Sequence, residues 1–379
     1  MLESISMPTI QLLSSPGIVR IAVIDQQKLL DFAIWYPGHT DGFGDVYLGR
    51  VDHYASALGG AFVALGKDFS GFLPHHPSAK PLLEGDWVMV RITRSAQGGK
   101  GVRLDARNIS EYPMPSEKTP QRLHVGLSPF EELAQRFPDA EIRIDEPDLI
   151  QLIPTEYKLR VKRSKESVNS EILEQIDLLE TTEVELPMGM RASITPTPAL
   201  VAIDMDTATQ SNDKQSKLRA QFNANKESLP ALLHQLRLRN LSGAIIIDMA
   251  GLPIKKRRLF QEDFERNLRL DPLQPRFVGF TNLGLAEMTR PRKRPPLHEL
   301  FASYHGQAIR ILGMLERQFK SLASHHQYHH LTLTLSLSLK QSLQNDSWAI
   351  NHFEKRCAAS LTLESDPSFA IQQWEYQYA

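Results

Sequence analysis

The stretches Ala199-Leu-Val-Ala-Ile-Asp-Met-Asp206 and Gly243-Ala-Ile-Ile-Ile-Asp248 decide the fold of this chain. Each begins with a short apolar run and then reaches an aspartate, Asp204 in the first and Asp248 in the second. Apolar runs of this length predict buried strands. The residues between them are enough for a loop and a helix, a connection that places two strands side by side in one sheet. The sequence therefore predicts an α/β layout around these two strands.

The carboxylates at the ends of these runs form the candidate site. If the strands are neighbours, Asp204 and Asp248 converge where the sheet meets solvent, and Asp206 follows two residues later. Carboxylate oxygens are the ligands that a divalent cation such as Mg²⁺ prefers, and such a cation supports hydrolytic chemistry. The alternative is that each aspartate only begins a turn, as aspartates often do.

Composition narrows the class of protein. The chain has 379 residues, of which 41% are hydrophobic and 23% are charged, and it contains a single cysteine, Cys357. These values are typical of globular proteins, and no stretch approaches the roughly 18 apolar residues of a membrane helix. The first residues lack a basic segment followed by an apolar one, so we expect a cytoplasmic protein without disulfides or a membrane span.

The net charge of −1 does not favour a polyanionic partner, but the charge is segregated. Basic clusters lie at residues 158–165, 255–258 and 290–294, and an acidic segment lies at 171–185. Charge runs are more often solvated faces than binding sites, so these clusters permit a nucleic-acid ligand without requiring one.

Residues 41–111 have the pattern of a small closed barrel. Glycine, proline and polar residues separate the strand candidates, which number five as in an OB fold. These candidates are Asp45–Val51, Gly60–Leu65, Ser70–Leu73, Asp86–Thr93 and Gly101–Ala106. Phe62 and Phe72 lie beside small residues, so they either belong to the barrel core or stack on single-stranded bases. Lys100 and Arg103 would then contact phosphates.

The rest of the chain alternates between helical and strand patterns. Residues 18–36 predict two strands around a turn, and residues 112–135 predict a linker or loop. Between the two aspartate strands, Ser228 predicts a helix cap and Pro230 the first turn of that helix. Arg237 and Arg239 at the helix end either cap the helix, which we favour, or contact a substrate phosphate.

The C-terminal region predicts a small α+β unit. Apolar residues from Ile309 to Phe319 predict a helix, and alternating leucines from Leu331 to Leu339 predict a strand. A helix near Trp348–Lys355 and strands near Ala359–Leu363 and Phe369–Trp374 follow. The histidines of His325–His330 lack an acid or cysteine at ligand spacing, so we interpret this segment as a polar connector rather than a zinc site.

Several segments together resemble the ribonuclease E/G family of bacterial endoribonucleases. They occur in the order of that family between residue 18 and about residue 297, and no single segment is decisive. The segments are Asp45-Val-Tyr-Leu-Gly-Arg-Val51, Gly60-Ala-Phe-Val-Ala-Leu-Gly66, Ser70-Gly-Phe-Leu-Pro74, Ala199–Asp204, Phe222-Asn-Ala-Asn225, Leu236-Arg-Leu-Arg-Asn-Leu-Ser-Gly243, Ile245-Ile-Ile-Asp248 and Phe280-Thr-Asn-Leu-Gly-Leu-Ala-Glu-Met-Thr-Arg290.

The resemblance implies a magnesium-dependent endonuclease for single-stranded, often AU-rich, RNA. Asp204 and Asp248 match the metal-binding catalytic aspartates of the family, and Phe62, Phe72 and Lys100 match its RNA-contacting positions on the barrel. The implied fold is an RNase H-like layer with an inserted five-stranded OB-fold barrel, a DNase I-like catalytic subdomain and a small C-terminal α+β domain. Its expected ranges are 1–40 with 136–180 for the RNase H-like layer, 41–111 for the barrel, 112–135 for the linker, 181–297 for the catalytic subdomain and 298–379 for the C-terminal domain.

The chain also departs from the family pattern. Residues 112–135 stand where the family has a much longer subdomain that senses the RNA 5′ end, so we expect that this sensing is lost. The zinc-linking cysteines of the family are absent from Pro295-Pro-Leu-His-Glu299, so we expect neither structural zinc nor a zinc-linked dimer. The oligomeric state stays open.

Near the aspartates, Asp206 replaces a usual asparagine, and Gly251 replaces a second acid of the family. Asp206 is therefore a candidate auxiliary ligand that compensates for Gly251. The basic residues that usually follow Asp271 are replaced by Pro272-Leu-Gln-Pro275. The alternative to an active enzyme is an RNA-binding protein of the same fold with a decayed nuclease site.

Overall fold

The computed structural model describes residues 7–76, 82–107, 109, 111–163, 168–207, 214–323 and 329–378. The chain forms two compact units. Unit 1 combines Met1–Asn169 with His298–Ala379, and unit 2 is the continuous segment Ser170–Leu297. No helix in the described ranges is both long enough and apolar enough to span a membrane. His325 and His326 of the predicted connector, and Lys165 of the first basic cluster, lie outside the described residues.

Unit 1 begins with a meander of three antiparallel strands. These are β1 (Thr9–Ser15), β2 (Ile18–Asp25) and β3 (Lys28–Trp35). The predicted pair of strands around the turn at residues 26–27 is confirmed, whereas the sequence patterns did not identify β1. Alternate residues of these strands, among them Ile10, Leu12, Val19, Ile21 and Val23, are buried in one core.

Five strands then form a closed barrel, as predicted from residues 41–111. The barrel order is β4, β5, β6, β8, β7 and back to β4, so each strand has two neighbours and the barrel has no open edge. A sixth strand, β9, pairs with β4 on the outside of this circuit. The strands are β4 (Val46–Ala55), β5 (Gly60–Gly66), β6 (Phe69–Pro74), β7 (Trp87–Arg94), β8 (Val102–Asp105) and β9 (Gln121–His124).

The segment predicted as a linker or loop contains regular structure. It holds β9 and most of helix α1 (Pro129–Arg136), which starts with a capping box between Ser128 and Glu131. Strands β10 (Glu141–Ile144) and β11 (Val161–Arg163) follow. They extend the N-terminal sheet to the order β11-β10-β1-β2-β3, in which β1 and β10 are parallel.

Unit 2 is a six-stranded mixed sheet, and the helices that carry Leu229 and Phe264 pack on one of its faces. Its order is β12-β13-β14-β15-β17-β16, in which β14 and β15 are parallel. The strands are β12 (Glu183–Leu186), β13 (Met190–Pro196), β14 (Leu200–Thr207), β15 (Gly243–Asp248), β16 (Arg276–Phe280) and β17 (Ala286–Arg290). The helices are α2 (Ser170–Asp177), α3 (Lys214–Leu238), α4 (Ile254–Arg257) and α5 (Gln261–Leu268).

Helix α3 corrects the predicted helix start. Ser228 and Pro230 lie inside this helix, and the buried Ser228 hydroxyl donates to the Pro187 carbonyl at 2.8 Å instead of capping a helix end. Leu218 and Phe222, upstream of Ser228, pack against the same core as the predicted stripe at Leu229. This packing extends the helix across Pro230, although proline removes one helical hydrogen bond.

The C-terminal part of unit 1 begins with two helices and contains a three-stranded sheet of order β19-β18-β20. Its elements are α6 (Leu297–Ala302), α7 (Tyr304–Ala323), β18 (His330–Leu335), α8 (Leu337–Gln344), α9 (Ser347–Cys357), β19 (Ser360–Ser365) and β20 (Trp374–Tyr378). Arg356 of α9 donates to Glu146 and Glu316 and, at 3.1 Å, to Ser14, so it joins this part to the N-terminal sheet.

Two predictions in this region are wrong in their extent. The strand predicted across Leu331–Leu339 ends at Leu335, because the next leucines belong to α8, which buries Leu339 and Leu343. Leu339 and Leu343 are four residues apart, so they lie on the same face of a helix. In a short segment, alternate leucines are therefore compatible with a helix as well as with a strand. The last strand occupies Trp374–Tyr378 rather than Phe369–Trp374.

Candidate functional site

The two predicted aspartates lie opposite each other on neighbouring strands. In the parallel pairing of β14 with β15, Asp204 is the register partner of Asp248. Asp248 is the last residue of β15, as predicted, whereas β14 continues past Asp204 to Thr207 because it also pairs with β13. The predicted convergence of these two residues is confirmed.

The alternation of each strand explains why both aspartates face outward. Val201, Ile203 and Met205 of β14 and Ile245 and Ile247 of β15 point into the core that the helices cover. Residues in between point to the opposite face of the sheet. Asp204 and Asp206 are exposed there, and the Asp248 side chain retains 48% of its accessible surface. The site is therefore a solvated, acidic part of an otherwise apolar pair of strands.

The three carboxylates differ in what they contact. Within the described residues, the Asp204 side chain forms no hydrogen bond or ion pair, and Asp206 Oδ1 accepts a 2.7 Å hydrogen bond from the Thr207 backbone. Asp248 Oδ1 accepts a 2.5 Å charge-assisted hydrogen bond from Nη1 of Arg257. The sequence patterns placed Arg257 only in a basic cluster, and its position nine residues after Asp248 gave no signal of this contact.

The donor set fits a hard cation in its chemistry. All three side chains offer carboxylate oxygens on one solvated face, which is the type of ligand that Mg²⁺ binds together with water. In the described ranges, no three His, Cys, Asp or Glu side chains converge as a complete metal site, so bound water would have to complete the coordination.

The turn after Asp248 is shaped around Gly251. Gly251 has φ +58°, and a Cβ atom there would lie 2.3 Å from Nε2 of Gln221. Asn225, which is fully buried, donates from Nδ2 to the Ala250 carbonyl at 3.0 Å. The space next to position 251 is thus filled by Gln221 from α3, and a side chain at this position would have to displace the Gln221 amide.

The contacts of Arg239 test the two predicted roles, capping of the helix end and contact with a substrate phosphate. The Arg239 side chain is buried. Its Nη1 donates to the Thr181 carbonyl, and its Nη2 donates to the Leu178 carbonyl at 2.9 Å. Burial lowers the pKa of Arg239 to about 10. The prediction that its side chain caps the preceding helix is wrong: its carbonyl acceptors belong to another segment, and within the helix, among the described residues, its Nε contacts only the Gln235 side chain, at 3.4 Å. A buried side chain is also not available to a substrate phosphate.

The barrel carries an aromatic row on its outer surface. Phe62 and Phe72 are cross-strand partners, and their ring centroids are 5.4 Å apart in an edge-to-face arrangement. Neighbouring positions such as Val63 and Leu73 fill the barrel core, so Phe62 and Phe72 point outward and are half-buried. The alternative in which both phenylalanines form the barrel core is therefore excluded.

The row continues in both directions across the sheet. Arg103 on β8 is the register partner of Phe72, and the His53 ring on β4 stacks on Phe62 at 4.9 Å. The sequence patterns did not identify His53. We call His53, Phe62, Phe72 and Arg103 the barrel row. Lys100 is exposed in the turn before β8, and the preceding Gly98 amide donates to Glu299 at 2.6 Å.

The chain is similar in sequence to known ribonucleases. A model described as "Ribonuclease E/G family" matches residues 141–293, a range that contains both aspartates. Ribonuclease E of Haemophilus influenzae is 25% identical over 391 residues, covering 76% of this chain and 42% of that protein. Ribonuclease E of Escherichia coli K12 is 25% identical over 392 residues, covering 76% and 37%.

Ribonuclease G of Escherichia coli K12 is 23% identical over 395 residues, covering 76% of this chain and 81% of that protein. The chain spans less than half the length of the two Ribonuclease E proteins. The family model and these relatives agree that the chain is similar to the ribonuclease E/G family.

Proposed function

We propose that this chain is a metal-dependent endoribonuclease that hydrolyses phosphodiester bonds in single-stranded RNA during RNA processing or decay. The observation that carries the proposal is the direct register of Asp204 with Asp248 on an exposed sheet face. The names of its relatives, Ribonuclease E and Ribonuclease G, supply the reaction class.

In this proposal, Asp204 and Asp248 hold one Mg²⁺ ion, with Asp206 as an auxiliary ligand. When bound, Mg²⁺ lowers the pKa of a coordinated water and neutralises charge that develops on the phosphate. Asp204 is free to bind through either oxygen, since it has no partner among the described residues. Asp248 offers Oδ2, because Arg257 already occupies Oδ1.

The barrel row supplies the RNA-binding surface of the proposal. Phe62 and Phe72 present half-exposed rings that can stack on successive bases, and Arg103 lies next to them to pair with a phosphate. Base stacking on an aromatic ring contributes about 1–3 kcal/mol and tolerates any base. Lys100 adds an exposed cation in the turn before β8. This combination suits single-stranded RNA better than a duplex, whose bases are already stacked.

We further propose the domain assignment that the resemblance implies. The sheet of β1–β3, β10 and β11 would be the RNase H-like layer, and the barrel an OB-fold insertion. Unit 2 would correspond to the DNase I-like subdomain, a proposal supported by the closeness of its limits, Ser170 and Leu297, to the expected range 181–297. A cytoplasmic location, the loss of 5′-end sensing and the absence of a zinc-linked dimer belong to the same proposal.

The second candidate function is RNA binding without cleavage. The observation that favours it is that Arg257 pairs with Asp248, while position 251 carries no acid. In that case the barrel would retain its ligand and the aspartates would have lost their catalytic role.

One experiment separates the two candidates. Purified protein is incubated with a circular AU-rich RNA in Mg²⁺, beside Asp204→Asn and Asp248→Asn. The circle has no 5′ end, so a cleaved product requires internal hydrolysis without end sensing. Cleavage by the wild type and its loss in both variants supports the enzyme. Equal inertness of all three, with salt-dependent RNA binding, supports the second candidate.

Asp206→Asn tests the auxiliary ligand in the same assay. We expect weaker Mg²⁺ binding and a higher Mg²⁺ concentration for half-maximal cleavage, because one carboxylate charge is removed from the exposed face. Unchanged magnesium affinity and cleavage would remove Asp206 from the ligand set.

A further inference from the structure

Arg257 links three separate parts of unit 2. Its guanidinium Nη1 contacts Asp248 Oδ1 at 2.5 Å and the Gly284 carbonyl at 3.2 Å, and its Nε donates to the Leu252 carbonyl at 2.6 Å. Only 14% of the Arg257 side chain is exposed. A side chain with three such acceptors has little rotational freedom, so it restrains the carboxylate that it holds.

The acceptor at Gly284 is itself fixed. Gly284 has φ +82°, and a Cβ atom there would lie 2.9 Å from Ile254 and 3.3 Å from Cδ of Arg257. The turn is closed by Thr281, whose carbonyl accepts from Gly284 at 3.0 Å and whose hydroxyl accepts from Leu285 at 3.1 Å. A glycine is required here both for the backbone conformation and for the close approach to α4.

The other side of the Asp248 turn is held from α3. Asn225 bonds the Ala250 carbonyl and Gln221 lies against Gly251, as described above. Asp248 is therefore followed by a turn that is immobilised on one side by α3 and on the other by Arg257. By contrast, Asp204 has no such support among the described residues.

We propose that Arg257 is a positioning residue that sets both the orientation and the charge of Asp248. The guanidinium occupies Oδ1, directs Oδ2 to the cation and partly neutralises the acidic face. As a result, the aspartate pair binds a divalent cation less tightly than two unpaired carboxylates would, while the orientation of Asp248 is retained for cleavage. This inference rests on the proposed function, because it assigns a cation to Asp204 and Asp248.

The test measures Mg²⁺ affinity without RNA by isothermal titration calorimetry, and cleavage separately. Arg257→Ala removes the nearby positive charge, so Mg²⁺ should bind roughly fivefold more tightly, as expected for a charge several ångströms away in a partly solvated site. Cleavage at saturating Mg²⁺ should nevertheless fall at least about tenfold, since a misplaced reacting group has effects of this size. Opposite changes in affinity and turnover would not follow from simple loss of structure.

Arg257→Lys separates charge from geometry. Lysine keeps the positive charge but lacks the planar fork that reaches three acceptors, so Mg²⁺ affinity should stay at the wild-type value while turnover falls. Arg258→Ala is the matched control, because Arg258 is the next residue and is exposed. We expect the control to match the wild type in magnesium affinity and in turnover.

The outcomes distinguish this inference from the proposed function. If the wild type binds Mg²⁺ but does not cleave RNA, the proposed function fails. The measured Mg²⁺ affinities of the variants then decide the role of Arg257. Unchanged or weaker Mg²⁺ binding by a folded Arg257→Ala protein would overturn the inference, as would wild-type turnover or tighter Mg²⁺ binding in Arg257→Lys. If Arg257→Ala does not fold, the lysine variant decides. Failure of the wild type to bind Mg²⁺ overturns both.

Discussion

Gln221 occupies the space that a side chain at Gly251 would need. A Cβ atom at position 251 would approach the Gln221 amide to between 2.3 and 3.0 Å, and Gly251 has φ +58°. The glycine is thus part of a turn that is packed against α3. An acid introduced here would therefore have to displace Gln221 and adopt a left-handed backbone conformation.

We therefore expect that Gly251→Asp does not restore a stronger metal site but destabilises unit 2, by about 1–3 kcal/mol from strain and crowding. Urea unfolding measures the free energy of unfolding. Gly189→Asp is the control, because Gly189 has φ +67° with no atom within 4 Å of its ideal Cβ. Equal destabilisation by the two substitutions would show that the Gln221 contact is unimportant.

Phe62→Ala and Phe72→Ala should each weaken the binding of single-stranded RNA by about 1–3 kcal/mol, because each removes one stacking surface. Fluorescence anisotropy with a labelled AU-rich oligonucleotide measures the dissociation constant. The control is Tyr54→Ala, an exposed aromatic on the same strand as His53 but outside the barrel row. Loss of affinity in the control as large as in Phe62→Ala would contradict a specific role for the row.

Much of this architecture could be predicted from sequence, but the outward orientation of the aromatic side chains in the barrel row could not. The strand predicted at Gly60–Leu65 corresponds to β5, but its sequence alone does not say which alternate set of residues faces the core. The closed barrel buries Ala61, Val63 and Leu65, and this leaves Phe62 outside. Likewise, the two apolar runs predicted the strands that carry Asp204 and Asp248 and their adjacency.

Contacts between distant segments could not be predicted in this way. Arg257 meets Asp248 only because the turn at residues 249–252 reverses the chain, and β9 forms in a proline-rich segment because β4 offers it a partner. Ser228 lies in the interior of α3 for a similar reason. The packing of Leu218 and Phe222 extends the helix towards the N-terminus, although Ser228 and Pro230 are residues typical of a helix start.

Arg290→Met should destabilise unit 2 by about 3–5 kcal/mol, because it leaves Asp271 as a buried charge without its partner. The two side chains are 3% and 10% exposed and are joined by a 2.7 Å contact. Arg266→Met is the control: Arg266 is 69% exposed, although its partner Asp263 is 13% exposed, so this more solvated ion pair should contribute no more than about 1 kcal/mol.

The double variant Arg290→Met with Asp271→Leu should recover part of the stability that Arg290→Met loses, since no buried charge is left unpaired. Thermal unfolding of the wild type, Arg290→Met, Arg266→Met and the double variant provides the comparison. A double variant that is less stable than Arg290→Met would contradict this explanation.

His352 should make the stability of unit 1 fall in mild acid. Its ring is buried and lies 3.3 Å from Glu146, and burial lowers its pKa below the usual 6.5, although Glu316 opposes the shift. Because the folded protein binds this proton less readily than the unfolded chain, the free energy of unfolding is unaffected above pH 6.5 and decreases as the pH falls below it.

Urea unfolding at pH 8, 6.5 and 5 measures this dependence. His352→Gln should be less sensitive to acid than the wild type, with its largest relative gain between pH 6.5 and 5. Parallel curves for the two proteins would show that His352 is not responsible.

The split composition of unit 1 has a consequence for folding on the ribosome. Ser14 and Glu146 contact Arg356, which is synthesised only after all of unit 2. Domains generally fold as units as the chain emerges, so unit 2, a continuous segment, can complete its sheet while unit 1 still lacks its last helices. The aspartate pair would then form before the N-terminal sheet has acquired its final contacts, and a ribosome stalled near residue 330 would carry a folded unit 2 on an unfinished unit 1.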